Sequence, residues 1–119
     1  MKKFFLALAL CLACTSPTSV PDEFSILRPP LVYRDWYSQV EQCSGRTGDF
    51  DRIRWYIVPG AKWYGERHQQ NINGLWTDGH RIFIAEFEIF NVYLVKHEML
   101  HDLGFEHEDV EVLTRCAKP

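Results

Sequence analysis

His97-Glu98-Met99-Leu100-His101-Asp102-Leu103-Gly104-Phe105-Glu106-His107 is the stretch on which the reading of this chain turns. It has the form H-E-x-x-H-x-x-G-x-x-H. On a helix, residues four apart project from one face, so His97 and His101 would stand one turn above the other. Two imidazoles placed this way can hold one Zn²⁺ at about 2.0–2.1 Å each. Gly104 can end the helix in the left-handed conformation that costs other residues more. The chain can then double back and bring in His107 as a third nitrogen ligand. Three protein ligands leave a fourth tetrahedral position to water, the arrangement of a catalytic rather than a structural zinc. Glu98, beside the first ligand, stands where a carboxylate can take a proton from that water. A shuffled chain of this composition would carry the full pattern roughly once in thirty thousand, and the alternative is a pair of ordinary helix histidines.

Working outward, Glu88 to Leu103 reads as the helix that carries the motif, with Asn91 as its cap if it begins late. Phe90, Tyr93, Leu94, His97, Leu100 and His101 fall on one side of it. Val92, Val95, Met99 and Leu103 crowd the other. A helix apolar nearly all round is a buried one, and histidines on it need partners for their nitrogens. Upstream, Leu75 to Thr77, Asp78-Gly79 and Arg81 to Ala85 read as strand, turn and strand. Ile53 to Val58, rich in aromatic and β-branched residues, is a strand that stops at Pro59-Gly60. Residues 60 to 74 have no clear period and read as loop. Leu31 to Gln42 reads as a helix with Val32, Trp36 and Val40 as its apolar stripe and Pro30 at its start. The fold class is therefore α+β: a small, mainly antiparallel or mixed sheet packed against an N-terminal helix and the buried histidine helix.

The motif resembles that of the metzincin zinc endopeptidases, and within them the astacin signature, because Phe105 follows the glycine and Glu108 follows the third histidine. The resemblance spans about residues 90 to 108. It implies zinc-ligand roles for His97, His101 and His107 and a general-base role for Glu98. The implied activity is hydrolysis of a peptide or protein substrate by a metal-bound water. Two departures stand beside it. The astacin-like continuation beyond Glu108 is missing, and the only methionines are Met1 and Met99, so the family's methionine turn has no counterpart. A non-catalytic zinc-binding lipoprotein, acting as a structural or interaction module, is the alternative. In the catalytic reading the oxyanion needs a donor beyond the metal, with Tyr93 preferred and Tyr64 and His80 as other candidates. The strand Arg81 to Ala85 precedes the helix as the substrate-aligning edge strand does in the family, so it is expected to be either that edge or an ordinary one. His68 and His80 read as surface or loop histidines. Asp102, Glu106, Glu108 and Asp109 could orient imidazole N–H groups or be solvated, and one of them could be a metal ligand instead of His107. The tryptophans read as core.

The N-terminus points to export. Lys2 and Lys3 precede the apolar run Phe4 to Ala13, a secretory signal in form and too short to span a bilayer. Ala13 before Cys14 resembles a bacterial lipoprotein processing site, so residues 1–14 are expected to be a signal peptide with cleavage before an acylated Cys14. Acylation would anchor the protein in the membrane, with an outer-membrane address favoured by Thr15 and plain secretion or a soluble periplasmic protein as the alternative. Residues 15–30, with Pro17, Pro21, Pro29 and Pro30, read as a tether, and 31–119 as one minimal metallopeptidase domain. Of the four cysteines, Cys43 and Cys116 remain as disulfide partners in an oxidising compartment. The net charge is −3 with no basic cluster, which argues against a nucleic-acid partner, and a monomer is expected.

Overall fold

Four consecutive buried residues, Ile82, Phe83, Ile84 and Ala85, fix the centre of the molecule. A strand apolar on both faces needs a layer on each side of its sheet. In the computed structural model, which describes residues 20–119, that strand lies inside a mixed four-stranded sheet. In chain order the elements are β1 (Ser25–Ile26), α1 (Val32–Ser44), β2 (Arg54–Val58), β3 (Trp63–Gly65), β4 (Gln70–Ile72), β5 (Gly74–Thr77), β6 (Arg81–Ala85), α2 (Val92–Asp102) and α3 (Val110–Cys116). The sheet order is β1-β2-β6-β5, and β3 and β4 form a separate hairpin. The fold is α+β.

Alternation along the strands assigns the two layers. Trp55, Ile82 and Ile84 face the helices, where they meet Tyr33, Tyr37, Val95, Met99 and Leu100. Val58, Leu75 and Phe83 face the other way and are covered by Trp63 and Ile72 of the small hairpin and by Val20. That period of two follows from the pleat.

Several expectations are corrected. The strand Arg81–Ala85 is not an edge: it pairs in parallel with β2 and antiparallel with β5. Its unbroken apolar run is the mark of an interior strand, and the edge on that side is β5. Residues 60–74 are not all loop, since β3 and β4 pair antiparallel from Trp63↔Ile72 to Gly65↔Gln70. Strands of three residues are too short for a period to be read. Part of the tether is folded structure. β1 pairs with β2, Pro21 is buried, and the Phe24 ring meets Tyr56 and Phe83 edge-on at 5.3 and 5.1 Å. Prolines there shape an extended covering segment rather than prevent packing. The expected signal peptide 1–14, with the Cys14 lipidation site, lies outside the described residues.

The N-terminal helix α1 buries Tyr33, Tyr37 and Val40, leaving Val32 and Trp36 of the expected stripe at its margin. Tyrosine can face a core when its hydroxyl finds an acceptor, and the Tyr33 hydroxyl donates to the Ile89 carbonyl at 2.6 Å. The seven residues of α3 are too few for a helical period to show in the sequence. A disulfide joins Cys43 at the end of α1 to Cys116 at the end of α3, as the cysteine count predicted. Closing a loop between residues 73 apart restricts the unfolded chain by about 4 kcal/mol on the entropic account. Nearby, the buried Lys96 Nζ donates to Gln39 Oε1 and the Lys118 carbonyl, tying α1 and the chain end to α2.

Candidate metal centre

The helix α2 starts at Val92, four residues later than its pattern suggests, because Asn91 is the better cap. Its Oδ1 accepts from the Leu94 amide at 3.1 Å, while residues 86–88 form a separate 3₁₀ turn. Beyond Asp102 the helix closes with Gly104 at φ 97°. The Phe105 amide donates back to the Leu100 carbonyl and the Gly104 amide to that of His101. This six-to-one and five-to-two pair is the Schellman closure, and its left-handed residue is why a glycine stands there. The reversal carries residue 107 back beside the helix.

His97, His101 and His107 thereby converge. His101 Nε2 lies 3.1 Å from His97 Nε2 and 3.2 Å from His107 Nε2. Nitrogens bound at 2.0–2.1 Å to one tetrahedral ion would stand about 3.3 Å apart, so the spacing fits a single small cation. The tautomer fits as well. His101 Nδ1 is 2.8 Å from the Phe105 carbonyl and must donate to it, which leaves the lone pair on Nε2 facing the other two rings. Burial, reinforced by the neighbouring histidines, lowers the His97 pKa to about 4, and burial also lowers that of His101. Both rings are neutral at pH 7 and offer lone pairs, the form a metal requires. The three side chains together could hold a metal ion.

The centre opens into a cleft of about 630 Å³ between α2 and the β3–β4 hairpin, with Gly74 and Trp76 of β5 in its wall. Glu98 lies buried at its base. Desolvation raises the Glu98 pKa to about 8, against the opposing pull of the Trp76 main-chain N–H that donates to it. Close approach is possible because residue 74 is glycine. A Cβ there would stand 3.1 Å from Glu98 Oε2 and 2.7 Å from Leu94 Cδ1. Edge strand and helix are therefore fitted to each other at the carboxylate. Gly74 and Trp76 are residues that sequence reasoning did not single out, because their role depends on how two separate elements meet.

Of the three oxyanion-donor candidates, Tyr93 is the one at the cleft, its ring 6.3 Å from that of His97. Tyr64 lines a different hollow with Glu66, Arg67 and Gln69. His80 is turned away into a structural contact: its Nδ1 lies 2.8 Å from Asp102 Oδ1, which also accepts from Trp76 Nε1 at 3.0 Å. Asp102 consequently orients no imidazole of the centre, and the Phe105 carbonyl does that for His101. Glu106 lines the cleft without contacting a ring nitrogen, and Asp109 instead accepts from the Glu106 amide. His68, expected at the surface or in a loop, lies in the β3–β4 turn, half-buried in the cleft lining. Of the tryptophans, Trp55 is core as expected, whereas Trp76 also lines the cleft.

Comparison with protein-family models finds no match, and comparisons with curated proteins and with solved structures find none either.

Proposed function

We propose that the protein is a zinc metallopeptidase of metzincin-like type, an endopeptidase acting on peptide or protein substrates. The observation that carries this reading is the convergence of three imidazole Nε2 atoms at the floor of an open cleft that also contains the carboxylate of Glu98. Zinc held there supplies Lewis acidity, polarising a carbonyl and making water a stronger acid. Glu98 accepts the proton of the attacking water and passes it to the leaving amine. Burial makes the Glu98 carboxylate a stronger base than a solvated one, its pKa raised to about 8 before any cation is bound. The Trp76 N–H and the glycine at 74 keep it in position. The Tyr93 hydroxyl donates to the oxygen that gains negative charge. Export fits the same picture: the Cys43–Cys116 disulfide belongs in an oxidising compartment, and Cys14 would carry the acyl anchor to the outer membrane.

A second reading, a zinc-binding lipoprotein without turnover, is favoured by one observation: the Glu98 carboxyl already accepts from Trp76 and is sealed against Gly74. One experiment separates the two. The purified protein is loaded with zinc, its metal content is measured, and a mixed peptide library is incubated with wild type, His97→Ala and Glu98→Gln. The peptidase reading expects one zinc per chain and cleavage that both substitutions abolish. Stoichiometric zinc with no cleavage by wild type supports the non-catalytic module instead.

A further inference from the structure

The cleft has an uneven charge. On one wall stands Glu106, beside the third histidine. The β3–β4 hairpin also lines the cleft, its turn contributing Arg67 and His68. The turn is held by two amides, those of His68 and Gln69, donating to the Gly65 carbonyl. Gln69 takes a left-handed φ of 53°, so the path of the turn is specific rather than slack. Arg67 is exposed and, like Arg28, Arg46, Arg54 and Arg81, forms no ion pair among the described residues; of these five it is the one that lines the cleft. An arginine fork without an acid on a cavity wall is matched by a planar anion, above all a carboxylate. The amide side chains of Gln70 and Asn71 beside it can donate to the same group or to a neighbouring peptide unit.

We infer that Arg67 is a specificity-determining residue that receives a carboxylate of the peptide lying in the cleft. The inference rests on the cleft being a peptide-binding site, as proposed above. The carboxylate can be an acidic side chain or the peptide's own C-terminus, and the chemistry at Arg67 is the same for both.

The test uses the full-length zinc-loaded protein and three randomised nonapeptide pools. One carries an internal glutamate and an amidated end, one a glutamine and an amidated end, and one a glutamine and a free C-terminal carboxylate. Binding is read by fluorescence anisotropy on Glu98→Gln, and cleavage on the wild type. A carboxylate-bearing pool should bind about ten-fold more tightly than the neutral pool, by a charge-assisted pair in a partly enclosed site. Which of the two carries the preference identifies the source. Arg67→Ala introduced into the same protein should erase the ratio, Arg67→Lys should keep part of it, and Arg67→Glu should reverse it. Preferential binding without cleavage by wild type would remove the peptidase reading and leave Arg67 in its role. Cleavage with no preference for either carboxylate, or a preference that survives Arg67→Ala, would overturn the role of Arg67 and leave the peptidase standing. Binding of none of the pools would overturn it as well.

Discussion

Two adjacent residues near the end of α2 meet opposite surroundings. His101 faces the cleft and Asp102 faces the interior. Around Asp102 the partners come from within the fold, although Oδ2 has only the Arg52 guanidinium near it and no hydrogen bond among the described residues. Its fully enclosed carboxylate accepts from Trp76 and His80, and Arg52 approaches to 3.7 Å. Around His101 the requirement is left open. Its Nδ1 is committed to a carbonyl, and its Nε2 faces two further imidazoles at hydrogen-bond distance. The His97 Nδ1 is buried without any partner. A polar network whose donors and acceptors come from the fold itself holds elements together, here through Asp102 Oδ1. A network of converging acceptors asks for a cation. The contrast between these two faces of one helix distinguishes framework from site.

The largest expected effect is on the open side. Zinc that binds the folded chain and not the unfolded one stabilises it by mass action, about 4 kcal/mol when free zinc exceeds Kd a thousand-fold. Thermal unfolding with and without a chelator should reveal that difference in wild type and lose it in His101→Ala. An equal response in both proteins would place the metal elsewhere. On the closed side, Asp102→Ala should cost about 3 kcal/mol, since it strands the Trp76 and His80 donors and leaves Arg52 without its counter-charge. Asp102→Asn, which keeps an acceptor, should cost less. Both losses should be the same in zinc and in chelator, and a loss seen only with zinc would erase the distinction between the faces.

Between these extremes lies Glu98, buried like Asp102 but placed in the cleft. In the metal-free protein its pKa is raised from 4.5 to about 8, chiefly by desolvation. The folded state therefore binds more protons than the unfolded chain across that window, and stability falls as pH rises through it. His97 acts in the reverse sense. Its pKa is lowered from 6.5 to about 4, so stability falls as pH drops through that range. Metal-free wild type should be most stable between about pH 4.5 and 6.5, where the two windows overlap and the opposing slopes offset each other. Glu98→Gln should remove the alkaline decline, a gain on the order of 5 kcal/mol by pH 9 that vanishes near pH 4. Urea titrations across pH measure it, and parallel curves for the two proteins would mean that Glu98 is well solvated.

What the sequence made legible follows the range over which each determinant acts. Gly104 and the histidine spacing lie within one helix and its closing turn, so the convergence of three rings is written in eleven consecutive residues. The β5–β6 hairpin is equally local, and Cys43 with Cys116 needed only counting. Other features are products of tertiary contact. Gly74 matters because α2 lies against β5, and His80 leaves the candidate oxyanion donors because Asp102 claims it. The interior position of β6 depends on β2 arriving in parallel from distant sequence. Its run of apolar residues already contained that information, outweighed by the analogy with an edge strand. The hairpin wall of the cleft stayed hidden because Trp63–Gly65 and Gln70–Ile72 carry no repeat that three residues could express.

The smallest effect concerns the other end of α2 and sharpens the contrast. Asn91 borders the cleft, yet its bonds are of the closed kind: Oδ1 caps the Leu94 amide and Nδ2 donates to Glu88 Oε1 at 2.8 Å. If internal satisfaction, rather than location, marks a framework residue, Asn91→Ala should cost about 1 kcal/mol of stability, the usual worth of a cap. The loss should be equal with and without zinc. Asn91→Asp, which retains the capping oxygen, should recover most of it. Zinc affinity, read by competition with a chromophoric chelator, should change less than about two-fold, because His97 and His101 sit nearly two and nearly three turns further along a helix secured by packing. A ten-fold loss of zinc affinity in Asn91→Ala would mean instead that the start of the helix and the metal centre form one coupled unit, and that nearness to the cleft outweighs closure of the hydrogen bonds.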